Sequence, residues 1–143
     1  MAAISRADAV WNGDLMTGHG RVTPASGAFD ELPVSWASRA ESQKGKTSPE
    51  ELIAAAHASC YCMAFSGALA KAGHKVDELN TTAAVEFVPG TGITSVTLTV
   101  RGRIGGIEDA EFQKLAEEAK EGCPVSKALH GNVALKLEAR LES

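Results

Sequence analysis

The run from Leu52 to Ala70 stands apart from the rest of the chain: nineteen positions without Asp, Glu, Lys or Arg, dominated by Ala and interrupted by His57, Ser59 and Ser66. Its start is marked by Ser48-Pro49-Glu50-Glu51, with Ser48 at the N-cap, Pro49 at the first helical position and Glu51 placed to complete a capping box. Gly73 suits the C-terminal cap, so one long helix is predicted from Pro49 to about Ala72. The length reaches that of a membrane span. The small residues, and the lack of an aromatic belt or flanking basic bias, predict instead a helix buried in a soluble protein. In so short a chain, a second subunit is one way to surround it.

Elsewhere the pattern alternates. Thr81 to Val88, the turn Pro89-Gly90-Thr91-Gly92 and Ile93 to Ile104 read as a hairpin, with Val96, Leu98, Val100 and Ile104 on one face. Val133, Leu135, Leu137, Ala139 and Leu141 alternate with polar positions, which predicts a strand of a sheet with one wet face. Between them, Asp109 to Glu121 repeats Phe112, Leu115, Ala116 and Ala119 at helical spacing, with Glu117, Glu118 and Lys120 turned outward. Ala9 to Trp11, Gly20 to Thr23 and Pro33 to Arg39 read as short strands, placing Arg39 at a strand end before the polar loop Glu41 to Thr47. This order fits no doubly wound pattern and predicts a single α+β domain over residues 1–143.

Length and charge narrow the function more than they define it. A chain of 143 residues supports one hydrophobic core, and a net charge of −4 leaves no basic footprint for nucleic acid or membrane. Residues 1–15 lack the apolar stretch of a secretory signal. Three cysteines, an odd number, then point to reduced thiols in the cytoplasm rather than to a stapled secreted scaffold.

The chemistry-bearing residues are the cysteines. Cys60 lies within the long helix and Cys123 in the turn-like Gly122-Cys123-Pro124-Val125-Ser126. With no other evident nucleophile set, the two point to redox chemistry. By local physics Cys123 is the more activated, preceding Pro124 at a possible helix start. Glu50 either complements the helix dipole or faces a site. His57, Cys60 and Cys62 diverge around one helix and so make a poor metal site. His57 reads as a packed, hydrogen-bonded residue and Cys62 as a small buried hydrophobe. Trp11, Trp36, Phe65 and Phe87 either line an apolar pocket or fill the core.

Three motifs together, Trp11-Asn12-Gly13-Asp14-Leu15, the stretch from Ser48 to Cys60 with its Ala56-His57-Ala58, and Gly122-Cys123-Pro124-Val125-Ser126, resemble the OsmC/Ohr family of osmotically inducible and organic hydroperoxide resistance proteins, and its OsmC branch in particular. The resemblance spans nearly the whole chain. It implies a cytoplasmic, intertwined homodimer with antiparallel sheets packed around a long central helix, acting as a thiol peroxidase on organic hydroperoxides and hydrogen peroxide. By the same resemblance, Cys60 is the peroxide-attacking cysteine and Cys123 the resolving one, with Arg39 and Glu50 as the polar pair beside the reactive thiol. No cofactor or metal is implied, only an external dithiol, such as a lipoyl group, to reopen the disulfide. A different class of reading is a non-enzymatic thiol sensor or small-ligand binding dimer.

Glu50 and Cys60 are ten residues apart, about 15 Å along a straight helix, so they do not meet within one subunit. An antiparallel partner helix crossing near Ala54-Ala55-Ala56 brings Glu50 of one subunit towards Cys60 of the other, which predicts active sites at the subunit interface.

Overall fold

The computed structural model describes residues 2–142, and its contacts group into two compact units, Met1–Leu52 and Ile53–Ser143. The first holds β1 (Ala7–Asn12), β2 (His19–Pro24) and β3 (Leu32–Val34), an antiparallel sheet in that order, followed by the short helix α1 (Trp36–Ala40) and the start of α2 (Pro49–Lys71). The Trp11 motif shapes its first turn. The indole Nε1–H donates to the carbonyls of Gly13 and Asp14, and the Asp14 carboxylate accepts from the backbone N–H and hydroxyl of Thr17. Those Thr17 bonds, the backbone one foremost, hold the Asp14 pKa below its ordinary value. No hydrophobic side chain is buried in this unit among the described residues; β1 is exposed along its whole length, with Val10, Leu15 and Met16 all more than half exposed.

The expected strand over Pro33 to Arg39 is corrected. Only Leu32–Val34 is strand, and Arg39 stands in the last turn of α1. Ser35 caps that helix and Ser38 completes the box: Ser38 N–H donates to Ser35 Oγ, and Ser35 N–H donates to Ser38 Oγ. This local capping overrides the period-two alternation of Val34 and Trp36.

In the second unit, β4 (Val76–Val88), β5 (Gly92–Ile104) and β6 (Ala134–Glu142) form a sheet crossed by α3 (Asp109–Gly122) and α4 (Pro124–Leu129). The hairpin forms as expected, with β4 beginning five residues earlier than its apolar pattern and a register irregularity between Val76 and Glu78. One pairing departs from the expected antiparallel sheets: β6 runs parallel to β5, because α3 and α4 carry the chain back across the sheet before it pairs. Val96, Leu98, Val100 and Ile104 are buried on one face. Gly102 occupies the same face because a Cβ there would stand 2.6 Å from the Phe112 ring.

Helix α2 packs one stripe, His57, Tyr61, Phe65 and Leu69, each fully buried. Phe65 contacts the rings of both Tyr61 and Phe112, and Tyr61 Oη donates to the Ala116 carbonyl at 2.8 Å. Burial pushes the Tyr61 phenol pKa far up, so it stays a donor. Phe65 is thus core, not pocket lining. The opposite stripe, Ala55, Ala56, Ser59, Met63, Gly67 and Ala70, is exposed, with Met63 76% accessible. The expectation of a helix covered all round is therefore met on one side only within the chain. At its end, Gly73 takes φ +90° while Gly73 N–H donates to Ala70 and His74 N–H to Leu69, a Schellman cap.

Candidate active site

The site residues fall into two sets. The first is built at the head of α2. Ser48 caps the helix, accepting from the Glu51 N–H at 3.0 Å, and the Glu51 carboxylate accepts from the Thr47 hydroxyl. Glu51 thus has a structural task, and Glu50 turns inward to 5% exposure. Ser38 Oγ donates to the Thr47 carbonyl, tying α1 to this turn and setting Arg39 against Glu50. Arg39 Nε donates to both carboxylate oxygens at 3.2 Å and Nη2 to Oε2 at 3.0 Å. The result is a forked ion pair with a buried acid and a base whose side chain is 34% exposed.

The second set lies deeper in the chain. Cys123 ends α3 and begins α4: its N–H donates to the Ala119 carbonyl, its carbonyl accepts from Lys127 N–H, and Pro124 supplies the first helical position. Its side chain is fully buried, whereas Cys60 is half-buried, and all three cysteines are free thiols. Cys60 packs against the buried cluster that holds Cys123, near enough for Cys123 to influence its ionisation. The Cys60 thiol pKa is raised, first by burial and further by Cys123, against a lowering contribution from the Val125 backbone N–H. Within the chain Cys123 is fully buried and Cys60 only partly so, and of these two thiols Cys60 is the one with surface open to solvent.

Two further residues lie beside the second set. His57, one turn before Cys60, is fully buried and bonds through Nε2 to Ser126 Oγ at 2.8 Å. Burial lowers its pKa, so the ring is neutral near pH 7. Ser126 and the Val125 N–H were not singled out from sequence, since only the folded crossover brings 125–126 to the turn of α2 around residue 60. Cys62 turns to another side, its sulfur 3.0 Å from Thr81 Oγ1, and no cluster of three metal-ligating side chains occurs among the described residues.

Within α2, Glu50 sits in the first turn and Cys60 about 15 Å further along the axis. The structure thus brings Arg39 to Glu50 and Cys60 to Cys123, as two pairs.

Comparison with known proteins joins these observations to a lineage. Residues 42–138 match the sequence profile of the OsmC-like protein family. The chain is 36% identical to peroxiredoxin OsmC of Escherichia coli (strain K12), over 98% of this chain and 99% of that one. It is 30% identical to the organic hydroperoxide resistance protein OhrB of Bacillus subtilis (strain 168), over 85% and 89% of the respective chains. The crystal structure of an organic hydroperoxide resistance protein from Elizabethkingia anophelis superposes with a TM-score of 0.72 at 25% identity, covering 99% of this chain and all of that one. By its three motifs, its α+β architecture and these relatives, the chain belongs to the OsmC-like protein family.

Proposed function

We propose that this protein detoxifies peroxides as a cysteine-based peroxidase, in a cytoplasmic setting that keeps its thiols reduced, with Cys60 as the attacking and Cys123 as the resolving residue. The single observation that carries this reading is the pairing of a half-buried thiol with a fully buried one, 63 positions away in sequence and within interaction distance in the fold. The names of the relatives, a peroxiredoxin and organic hydroperoxide resistance proteins, support the substrate class.

In the cycle, the Cys60 thiolate attacks one peroxide oxygen, the O–O bond breaks, and alcohol or water leaves as Cys60 becomes a sulfenic acid. The Cys123 thiolate then attacks the Cys60 sulfur, expelling hydroxide and forming the disulfide. An external dithiol reopens it by exchange, leaving as its own cyclic disulfide.

Burial raises the Cys60 pKa and only the thiolate attacks, so a nearby cation favours the reactive form. Arg39 of the partner subunit, held by Glu50 of the partner subunit, supplies it in a dimer whose α2 helices cross on their exposed stripes. Ala55, Ala56 and Ser59 permit close approach of two helices there, and Met63 is 76% exposed without such a partner. The edge strand β1 argues the same way, since all six of its residues, Val10 and Trp11 among them, are exposed within the chain.

The test is consumption of cumene hydroperoxide and hydrogen peroxide by wild type, Cys60→Ser and Cys123→Ser, each with dithiothreitol or a monothiol. Turnover that vanishes in Cys60→Ser, together with a sulfenic acid that persists in Cys123→Ser, is the expected result. Oxidation of wild type without turnover would replace this reading with the non-enzymatic thiol sensor.

A further inference from the structure

One buried polar pair has no part in the cycle as written. His57 and Ser126 are 0% and 2% exposed, and their hydrogen bond of 2.8 Å links α2 to α4. Its position is the informative point. His57 precedes Cys60 by three residues on α2, and Ser126 follows Cys123 by three on α4, so each member lies one helical turn from a sulfur on the same side of its helix. The His57–Ser126 bond therefore runs beside the Cys60–Cys123 contact. The other ring nitrogen, Nδ1, is buried without a hydrogen-bond partner among the described residues, so Ser126 alone fixes the ring by hydrogen bonding. Helix α4 is only six residues long, too short to be held in place by its own cooperativity.

We propose that the His57–Ser126 hydrogen bond is a latch that holds the segment carrying Cys123 against the turn of α2 carrying Cys60, setting the rate of disulfide closure and thereby the resistance of Cys60 to overoxidation. The inference rests on the roles given to Cys60 and Cys123 above. Once Cys60 is a sulfenic acid it has two fates. In the first, the Cys123 thiolate forms the S–S bond and hydroxide leaves. In the second, the sulfenate attacks another peroxide, taking one oxygen to become a sulfinic acid while the O–O bond breaks and alcohol departs. The first rate depends on how often Cys123 occupies attacking geometry. The second rises with peroxide concentration and does not involve Cys123. Loosening the latch slows only the first, and both residues act by positioning.

The experiment mixes reduced protein rapidly with cumene hydroperoxide, quenches it with a sulfenic-acid trap, and follows sulfenic, disulfide and sulfinic forms by intact mass. Ser126→Ala should close the disulfide about tenfold more slowly, one hydrogen bond's worth of positioning, and reach half-sulfinic at a correspondingly lower peroxide dose. Formation of the sulfenic acid should keep its wild-type rate. Ser126→Thr, which retains the hydroxyl, should behave as wild type. The double variant His57→Leu/Ser126→Ala removes both polar partners, so it should recover the thermal stability lost in Ser126→Ala while closing just as slowly. The proposal is overturned if closure in Ser126→Ala stays within about twofold of wild type, if closure recovers with stability in the double variant, or if sulfenic-acid formation slows equally. Failure of the underlying reading looks different: wild type itself would then yield no Cys60 sulfenic acid or no Cys60–Cys123 disulfide.

Discussion

Arg39→Ala removes the charge partner, among the described residues, of a carboxylate that is 5% exposed. Breaking a fully buried ion pair by deleting one member costs about 3–5 kcal/mol, because the remaining charge is stranded. The Arg39 side chain is 34% exposed, so its truncation opens a path for water to the carboxylate and lowers the cost to about 2 kcal/mol. For a domain of this size that is a fall in Tm of about 6 °C. The assay is denaturant unfolding at one fixed protein concentration, since the proposed dimer would contribute to stability. The control is Arg39→Ala/Glu50→Gln, which removes the stranded charge and should recover at least half of the loss. Glu50→Gln alone leaves a cation about one-third exposed and should cost about 1 kcal/mol or less. A loss below about 0.5 kcal/mol in Arg39→Ala, or no recovery in the double variant, would refute the view that the pair matters because Glu50 is buried.

Three further expectations test other parts of the structure. Met63→Glu places a charge on the exposed stripe of α2 and should give a monomer in analytical ultracentrifugation with peroxide consumption lost; an active monomer would sink the shared site. Arg39→Ala should leave the Cys60 thiol with the raised pKa that burial dictates, so peroxide consumption should fall at pH 7 and recover as pH rises, while wild type stays flatter; superimposable pH–rate curves would remove Arg39 from activation. Phe65→Ala opens a hole beside Tyr61 and Phe112 in the fully buried core and should cost about 4 kcal/mol by denaturant unfolding, against under about 1.5 kcal/mol for Phe65→Leu if that site can repack.

How far the sequence could be read depended on how local the deciding interactions are. The start and end of α2 were legible because Ser48, Pro49, Glu51 and Gly73 act within one turn of themselves. Val96, Leu98 and Val100 declared their face by alternation, which reports which side of a strand is buried but not which neighbour it pairs with; hence the parallel partnership of β6 with β5 was missed. Arg39 was assigned to a strand because Val34, Trp36 and Ser38 mimic period two, and the competing signal, Ser35 capping over a single helical turn, is weak in a five-residue helix. Charged Asp77 and Glu78 hid the first residues of β4. The Arg39–Glu50 pair and the two-cysteine arrangement came from the family resemblance, whereas the contact of His57 with Ser126 spans 69 positions and follows from no local rule.

The seam at Cys123 has a thermodynamic consequence. A single residue ends α3 and starts α4, so a covalent bond from it to Cys60 fastens both helices to α2 at one point and closes the chain into a ring from residue 60 to residue 123. On the chain-entropy view, closing a ring of that size disfavours the unfolded state by about 4 kcal/mol. On the proposed cycle the spent form of the protein is its sturdier form and the ready form its softer one. Each proposed round of oxidation then stiffens the chain and each reduction slackens it, so resistance to heat or protease would report the redox balance of the solution around it.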